Sequence, residues 1–247
     1  MTNTKAGSIP VIVEEPAQNG NGCLIIWQPG LRGTKEGVKE HLQRFAKEGF
    51  TAISFDPREH GERRTESKES FDSKLRENKR KHFWPIMAET AAEYPLIIDW
   101  ALATYGLRGA VMAGGVSMGG DIAIAALGID PRISAAAACI STPDWLRPGT
   151  DEAPCLPDAF AWSCYERCNP LTNLQLYAHA PAIRFLNGAL DGHVPPDGAR
   201  RFRDALWDVY ADCPERFAIT EYEDTSHLMT TAMLEDALAW FQSKSGL

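Results

Sequence analysis

The chain of 247 residues is long enough to bury a substantial core in one large α/β domain, and its 44% hydrophobic and 23% charged residues are ordinary for a globular enzyme. A net charge of −8 argues against a nucleic-acid partner, because phosphate binding needs a basic face. No apolar run approaches the roughly 20 residues that span a bilayer, and no secretory segment follows Met1, so we expect a cytoplasmic protein without a membrane partner.

The predicted elements alternate between strands and helices along the whole chain. Continuous apolar runs predict strands buried on both faces, and apolar residues three or four positions apart predict helices. The strands are predicted at 9–13, 22–27, 50–55, 111–115, 133–140, 182–187 and 217–222, and the helices at 35–48, 86–107, 122–127, 197–210 and 234–241. This alternation predicts a mostly parallel, doubly wound α/β sheet. The strand with Pro10 is placed at the sheet edge, and Pro95 is expected to kink or restart its helix.

Two segments fit neither pattern. The first, 62–85, mixes basic and acidic residues and is expected to be a solvated excursion. The second, 142–180, contains prolines and aromatic residues and is too long for a plain loop. We therefore expect a single domain over 1–247 with lid-like segments at 62–85 and 142–180. Three aromatic residues are candidates to line a substrate pocket, with the core of the lid as the alternative: Trp145, Phe160 and Trp162.

The chain is organised around Gly115-Val116-Ser117-Met118-Gly119, which reads G-x-S-x-G between a strand and a helix. A serine on so sharp a turn crowds the residues two positions either side, so only very small residues fit there. The serine is expected to hold a strained backbone conformation at a cost of about 1–3 kcal/mol, which a protein keeps when something is gained. We therefore predict that Ser117 is a nucleophile, with a helix N-cap as the alternative.

Asp191 and His227 each follow the predicted C-terminal end of a strand, as Ser117 does. The carboxyl ends of parallel strands meet at one edge of a sheet, so the three residues are expected to converge there. An imidazole can take the serine proton, and a buried carboxylate can fix the imidazole tautomer. The order Ser, Asp, His is that of hydrolytic triads on this architecture. His60 also follows a strand and is the rival candidate for the base, although it precedes the serine.

Attack by Ser117 would produce an oxyanion that needs backbone donors. Met118 stands at the start of a helix, where its N–H faces developing negative charge. The turn after the strand that ends at Trp27 supplies the second donor. Leu31 is the candidate there, because Pro29 has no N–H.

Four motifs make the chain resemble the α/β-hydrolase fold enzymes over nearly its whole length. They are 115–119 as nucleophile elbow, NGALDGHVP at 187–195 as acid loop, DTSH at 224–227 as histidine loop, and DPREHGER at 56–63, which resembles D-x-R-G-H-G. Within that fold the chain is most similar to small bacterial carboxylesterases related to the prolyl-oligopeptidase and dienelactone-hydrolase branches.

That resemblance implies acyl transfer to water through an acyl-enzyme, with no metal or organic cofactor. It implies that Ser117 attacks, His227 moves the proton and Asp191 orients the imidazole, while the N–H groups of Leu31 and Met118 hold the oxyanion. The nucleophile is serine where dienelactone hydrolases use cysteine, which points away from that activity.

The chain departs from the family pattern at Gln28-Pro29-Gly30, where such enzymes usually carry His-Gly. A glutamine can still tie down the loop by a hydrogen bond, but this departure leaves the geometry of the oxyanion hole and the substrate preference open. Glu59 replaces a usual glycine, and no Gly-Gly-Gly run is present, which makes esters of bulky tertiary alcohols poorer candidates.

The predicted function is hydrolysis of a carboxylic ester of a small to medium apolar molecule. An acyltransferase, thioesterase, lactonase, amidase or peptidase would use the same residues, because pocket shape decides among them. A non-enzymatic scaffold is the third possibility, since fold does not imply function. A zinc site at Cys155, Cys164 and Cys168 is disfavoured, because paired C-x-x-C spacing and histidine ligands are missing.

Overall fold

The structure, a computed structural model, describes residues 1–150, 152 and 155–246. Its strands are β1 (Thr2–Ala6), β2 (Ile9–Glu14), β3 (Leu24–Gln28), β4 (Thr51–Phe55), β5 (Val111–Val116), β6 (Ile133–Cys139), β7 (Ala182–Gly188) and β8 (Phe217–Tyr222). Its α-helices are α1 (Lys39–Lys47), α2 (Lys68–Glu77), α3 (Lys79–Ala91), α4 (Tyr94–Tyr105), α5 (Met118–Ile129), α6 (Ala159–Cys168), α7 (Asp197–Ala205) and α8 (Thr231–Lys244). Positions 151, 153 and 154 of the second predicted lid segment, and position 247, lie outside the described residues.

The strands form one eight-stranded sheet in the order β1-β2-β4-β3-β5-β6-β7-β8. β2 runs antiparallel to both of its neighbours. The other six strands after β2 in the sheet, β4, β3, β5, β6, β7 and β8, run parallel to one another. β5, which leads to Ser117, lies near the centre between β3 and β6. The mostly parallel α/β sheet predicted from the sequence is therefore confirmed.

Apolar residues cover both faces of the sheet. Along β3, Leu24 and Ile26 belong to one core cluster and Ile25 and Trp27 to the other, because successive side chains of a strand point to opposite faces. Helices α1 and α8 contribute to the second cluster, and α3, α4 and α5 to the first. This double cover explains why the parallel strands read as continuous apolar runs.

The N-terminal hairpin differs from the prediction. The strand with Pro10, expected at the edge, is β2, and β1 lies outside it. The sequence gives little sign of β1, because TNTKA is polar and mostly exposed. Pro10 lacks an N–H, but its carbonyl oxygen accepts the Asp56 N–H at 3.2 Å, so the residue still contributes to the fold inside the sheet.

The long helix predicted over 86–107 is two helices, α3 and α4. Pro95 is in the first turn of α4, which confirms the predicted restart. α2 and the start of α3 lie within 62–85, where a solvated excursion was predicted. Phe71 and Leu75, one turn apart on α2, are both buried, and the many charged neighbours mask this pair in the sequence. Within the described ranges, no helix has the length and apolar character to cross a membrane.

The two segments predicted as lids lie against each other. The indole N–H of Trp84 on α3 donates to the Trp145 carbonyl oxygen at 3.2 Å. Lys79 and Arg80 form ion pairs with Glu152 at 2.8 and 3.2 Å. α3 also packs on α6. The segments therefore meet over the carboxyl edge of the sheet instead of extending separately into solvent.

Candidate active site

Ser117 occupies the turn between β5 and α5 with a φ of +54°, in the left-handed region that few residues other than glycine adopt. The residues two positions before and after the serine must be glycine, because there is no room for a Cβ. A Cβ on Gly115 would lie 2.6 Å from the Gln28 carbonyl oxygen, and one on Gly119 would lie closer still. The strained turn and the small flanking residues predicted from the pentapeptide are both present. Within this described turn the Ser117 side chain accepts no capping hydrogen bond, so the N-cap alternative lacks support.

The structure brings Ser117, His227 and Asp191 together. Ser117 Oγ lies 3.0 Å from His227 Nε2, and His227 Nδ1 lies 2.6 Å from Asp191 Oδ2. An ionised carboxylate only accepts hydrogen bonds, so Nδ1 carries the proton of the neutral imidazole. Nε2 therefore has a free lone pair for the Ser117 hydroxyl proton. This is the geometry that an activated serine requires.

Asp191 is buried, but the hydrogen bonds that it accepts favour its ionised carboxylate. Its Oδ1 accepts the N–H groups of His193 at 2.9 Å and Val194 at 2.8 Å. Burial raises the pKa of the Asp191 carboxyl, but the hydrogen bonds from His227 and the two amides outweigh it and leave the pKa below its ordinary value. The carboxylate can therefore orient the imidazole and stabilise it when protonated.

The two proposed oxyanion donors belong to two segments next to the serine, the start of α5 and the loop after β3. Met118 is the first residue of α5, so its N–H has no acceptor within the helix. The loop with Leu31 passes over the nucleophile: a Cβ on Gly30 would lie 3.6 Å from the Ser117 Cβ. Leu31 borders the same cavity as Ser117. The catalytic use of these donors stays a prediction.

His60, the rival candidate for the base, is fully buried, and both of its ring nitrogens make other contacts. Its Nε2 accepts the Arg32 N–H at 3.0 Å, and its Nδ1 lies 2.7 Å from the Arg58 carbonyl oxygen. Both ring nitrogens are thereby occupied by backbone groups. The hydroxyl of Ser117 is in contact with His227 instead.

A cavity of about 700 Å³ opens at Ser117 and His227. Its apolar lining residues are Leu31, Leu75, Phe83, Val116, Ile140 and Val194, and its basic lining residues are Arg32, Arg76, Lys79 and Arg147. The three aromatic residues predicted to line it lie elsewhere. Trp145 is buried in the core at 1% exposure, Phe160 borders a separate depression, and Trp162 stacks on Tyr165. The alternative of a lid core describes Trp145 better, because it is buried, whereas Trp162 is 43% exposed.

The whole chain matches known proteins of similar size, although no family model matches it. It is 24% identical to the Bacillus subtilis (strain 168) protein named "Putative esterase YitV", over 98% of this chain and 97% of YitV. TT1662 from Thermus thermophilus superposes with a TM-score of 0.80 at 22% identity, over 100% of this chain and 98% of that one. A Klebsiella pneumoniae subsp. pneumoniae MGH 78578 protein named "Putative Dienelactone Hydrolase" superposes with a TM-score of 0.68 at 19% identity, over 98% and 97%.

The chain has the α/β-hydrolase fold. The resemblance inferred from the sequence motifs is confirmed, and so is the predicted class of enzyme, a serine hydrolase. In this α/β hydrolase the elbow, the acid loop and the histidine loop follow β5, β7 and β8, the positions at which their motifs predicted them.

The hydrolase also has a buried ion pair that the sequence did not predict. Asp121, one turn along α5 from the serine, accepts Arg147 Nη2 at 2.5 Å and the Thr142 N–H at 2.7 Å. Burial raises the pKa of the Asp121 carboxyl. The Arg147 guanidinium lies 5.1 Å from the centre of the Phe83 ring. The sequence indicates this pair only by placing a carboxylate in an otherwise apolar helix, and the partner of that carboxylate is 26 residues away.

The Gln28 side chain does not tie down the oxyanion loop of this hydrolase. It is fully buried, and neither of its amide atoms makes a hydrogen bond to the described residues. His60 and Asp56 contact the loop instead. Among the described residues no three His, Cys, Asp or Glu side chains form a group that could hold a metal ion, and Cys164 and Cys168 are buried in α6.

Proposed function

We propose that the chain hydrolyses a carboxylic ester of a small to medium apolar molecule through an acyl-enzyme. The observation that carries this proposal is the continuous hydrogen-bonded chain from Asp191 through His227 to Ser117 beside an open cavity. The name "Putative esterase YitV" of the relative from Bacillus subtilis supports a carboxylic-ester substrate.

The geometry gives each group one task in acylation. Ser117 Oγ attacks the ester carbonyl carbon while His227 Nε2 accepts the hydroxyl proton. Asp191 stabilises the imidazolium that forms and does not itself take the proton. The carbonyl oxygen becomes an oxyanion and accepts hydrogen bonds from the Leu31 and Met118 N–H groups. The tetrahedral adduct then expels the alcohol oxygen, which takes the proton from Nε2.

Deacylation repeats these steps with water. His227 Nε2 removes a proton from the water as its oxygen attacks the acyl carbon. The second tetrahedral adduct collapses by breaking its bond to Ser117 Oγ, which recovers its proton from Nε2. The products are one carboxylic acid and one alcohol, and the enzyme returns to its starting protonation state.

We infer that the segments 62–85 and 142–180 select the substrate within a single domain. Leu75 and Phe83 of the first segment and Arg147 and Thr150 of the second line the cavity that holds Ser117. Apolar side chains near the nucleophile favour an apolar acyl or alcohol group. Since small differences in pocket contacts are worth only about 1–3 kcal/mol, related esters should compete within about two orders of magnitude.

A fluorophosphonate probe tests the proposal directly, because it reacts covalently with activated serines. Wild-type protein should be labelled, with the adduct on Ser117 by peptide mass spectrometry. Ser134→Ala, a partly buried serine on β6, serves as a matched control and should label like the wild type. Absence of labelling would favour the scaffold reading. A panel of ester, thioester, lactone and peptide substrates then distinguishes the reactions that share this triad.

A further inference from the structure

The loop that carries Leu31 is held by two contacts with the segment after β4. Downstream of Leu31, the Asp56 carboxylate accepts the Lys35 N–H at 3.0 Å and the Lys35 ammonium at 3.1 Å. Closer to Leu31, His60 Nε2 accepts the Arg32 N–H at 3.0 Å. The second contact acts on the peptide group that directly follows the proposed oxyanion donor.

His60 can make this contact only as a neutral imidazole of one tautomer. A carbonyl oxygen only accepts, so the nitrogen facing Arg58, Nδ1, carries the proton. Nε2 then offers its lone pair to the Arg32 N–H. In an imidazolium both nitrogens would carry protons, and Nε2–H would oppose Arg32 N–H. Burial lowers the pKa of His60, with Arg64 and Arg32 nearby acting in the same direction and the Arg58 carbonyl oxygen and Asp56 against it.

The loop does not hold its conformation by intrinsic preference. Arg32 has a φ of +69°, in the left-handed region that is unfavourable for a residue with a Cβ. Such a conformation persists only when surrounding contacts determine it. Within the turn, the Gly33 N–H donates to the Gly30 carbonyl oxygen at 2.9 Å. Loss of the His60 contact would free the Arg32 N–H and allow the turn to relax, which would displace Leu31.

We propose that His60 is a positioning residue for the oxyanion hole, which directs the Leu31 N–H at the reacting carbonyl by accepting the N–H of Arg32. This inference rests on the proposed function. His60 contacts neither nucleophile nor substrate cavity, so its loss should weaken stabilisation of the transition state and leave binding of the ester unchanged. The expected signature is a lower kcat at constant KM.

The test compares His60→Leu, which removes both ring nitrogens, with His41→Leu. His41 is the control, because it is a partly buried histidine whose pKa is lowered by burial and which accepts a hydrogen bond, from the Trp27 indole N–H at 3.0 Å. Loss of one oxyanion donor costs about 10²–10³-fold in kcat. We expect His60→Leu to lower kcat by about tenfold or more, because the donor is displaced and not removed, and His41→Leu to leave kcat unchanged.

A transition-state analogue provides a second readout. A trifluoromethyl ketone forms an adduct with the serine that places an oxyanion in the hole, so its affinity for His60→Leu should fall by the same factor as kcat/KM. Unchanged kcat and ketone affinity in His60→Leu, a KM that rises as kcat falls, or an equal effect of His41→Leu would each overturn the proposal. Complete end-point labelling of Ser117 in both variants would show that such a failure concerns His60 alone and leaves the proposed function standing.

Hydrogen exchange on the wild-type protein tests the contact even if His60→Leu does not fold. The Arg32 amide should be protected at neutral pH, because its hydrogen is bonded to a buried nitrogen. Exchange at the rate of an exposed loop amide would contradict the proposal.

Discussion

In the proposed mechanism, Ser117 acts through a single side-chain atom. Its Oγ bonds to His227, and the surrounding turn is fixed by backbone and glycines. Ser117→Ala should therefore leave the fold intact and lower kcat by about 10⁶-fold, since loss of the nucleophile costs roughly as much as loss of the whole triad. Steady-state ester hydrolysis, with circular dichroism as the folding control, measures this. A folded variant that keeps a tenth of wild-type activity would refute the assignment.

In the proposed mechanism, Asp191 acts by fixing the tautomer of His227. Asp191→Asn should lower kcat by about 10⁴-fold, because an amide no longer holds the proton on Nδ1. Asp212→Asn, at an exposed position, is the comparison for general effects of removing one negative charge. If the two variants were equally active, the Asp191 carboxylate would have no role in orienting the base.

The sequence predicts the positions of Ser117, Asp191 and His227 because each follows a strand end, which a local apolar run reveals. It does not predict the Asp121 and Arg147 pair or the role of His60 in holding Arg32. Those contacts join residues 26 and 28 positions apart through loops, and no periodicity encodes which loop faces which.

The segment between β4 and α2 depends on a glycine at one position. Gly61 has a φ of +54°, and a Cβ there would collide with the Asp56 carboxylate that binds Lys35. Gly61→Ala should therefore destabilise the protein by more than about 1 kcal/mol, because its native conformation is incompatible with alanine. Urea unfolding measures the change. Gly37→Ala, where a Cβ meets open space, should have a smaller effect.

The elements that the sequence describes poorly are those whose burial is shared with a distant segment. β1 is polar and reaches the sheet only by pairing with β2. α2 and α3 are rich in charge, and the apolar side chains of α3 become core residues where it packs on α5 and on α6 of 142–180, while α2 packs on α3. The pocket prediction failed for the same reason: Trp145 is buried within this cover, and Leu75 and Phe83 of the other segment line the cavity.

The stability of the whole molecule should fall as the solution becomes acidic. Burial lowers the pKa of both His41 and His60 from the ordinary 6.5, so the folded protein binds fewer protons than the unfolded chain below that pH. The contribution of these two neutral imidazoles to the free energy of unfolding should therefore be complete above pH 6.5 and decline as pH falls toward the folded pKa values. Urea titrations across this range measure it. His41→Gln should flatten the decline, and a wild-type profile that stays level would contradict the assignment of neutral, buried imidazoles.

The left-handed backbone conformation of residue 117 lowers the stability of the protein, although the proposed activity needs a serine there. Glycine adopts a positive φ without penalty, so Ser117→Gly should raise the free energy of unfolding by up to about 1 kcal/mol while removing the hydroxyl. Calorimetry on this variant would measure the gain, and an unchanged or lower melting temperature would contradict it. Directed evolution that rewards heat resistance alone would thus favour an inert protein, and screens on this chain need to score survival and ester cleavage together.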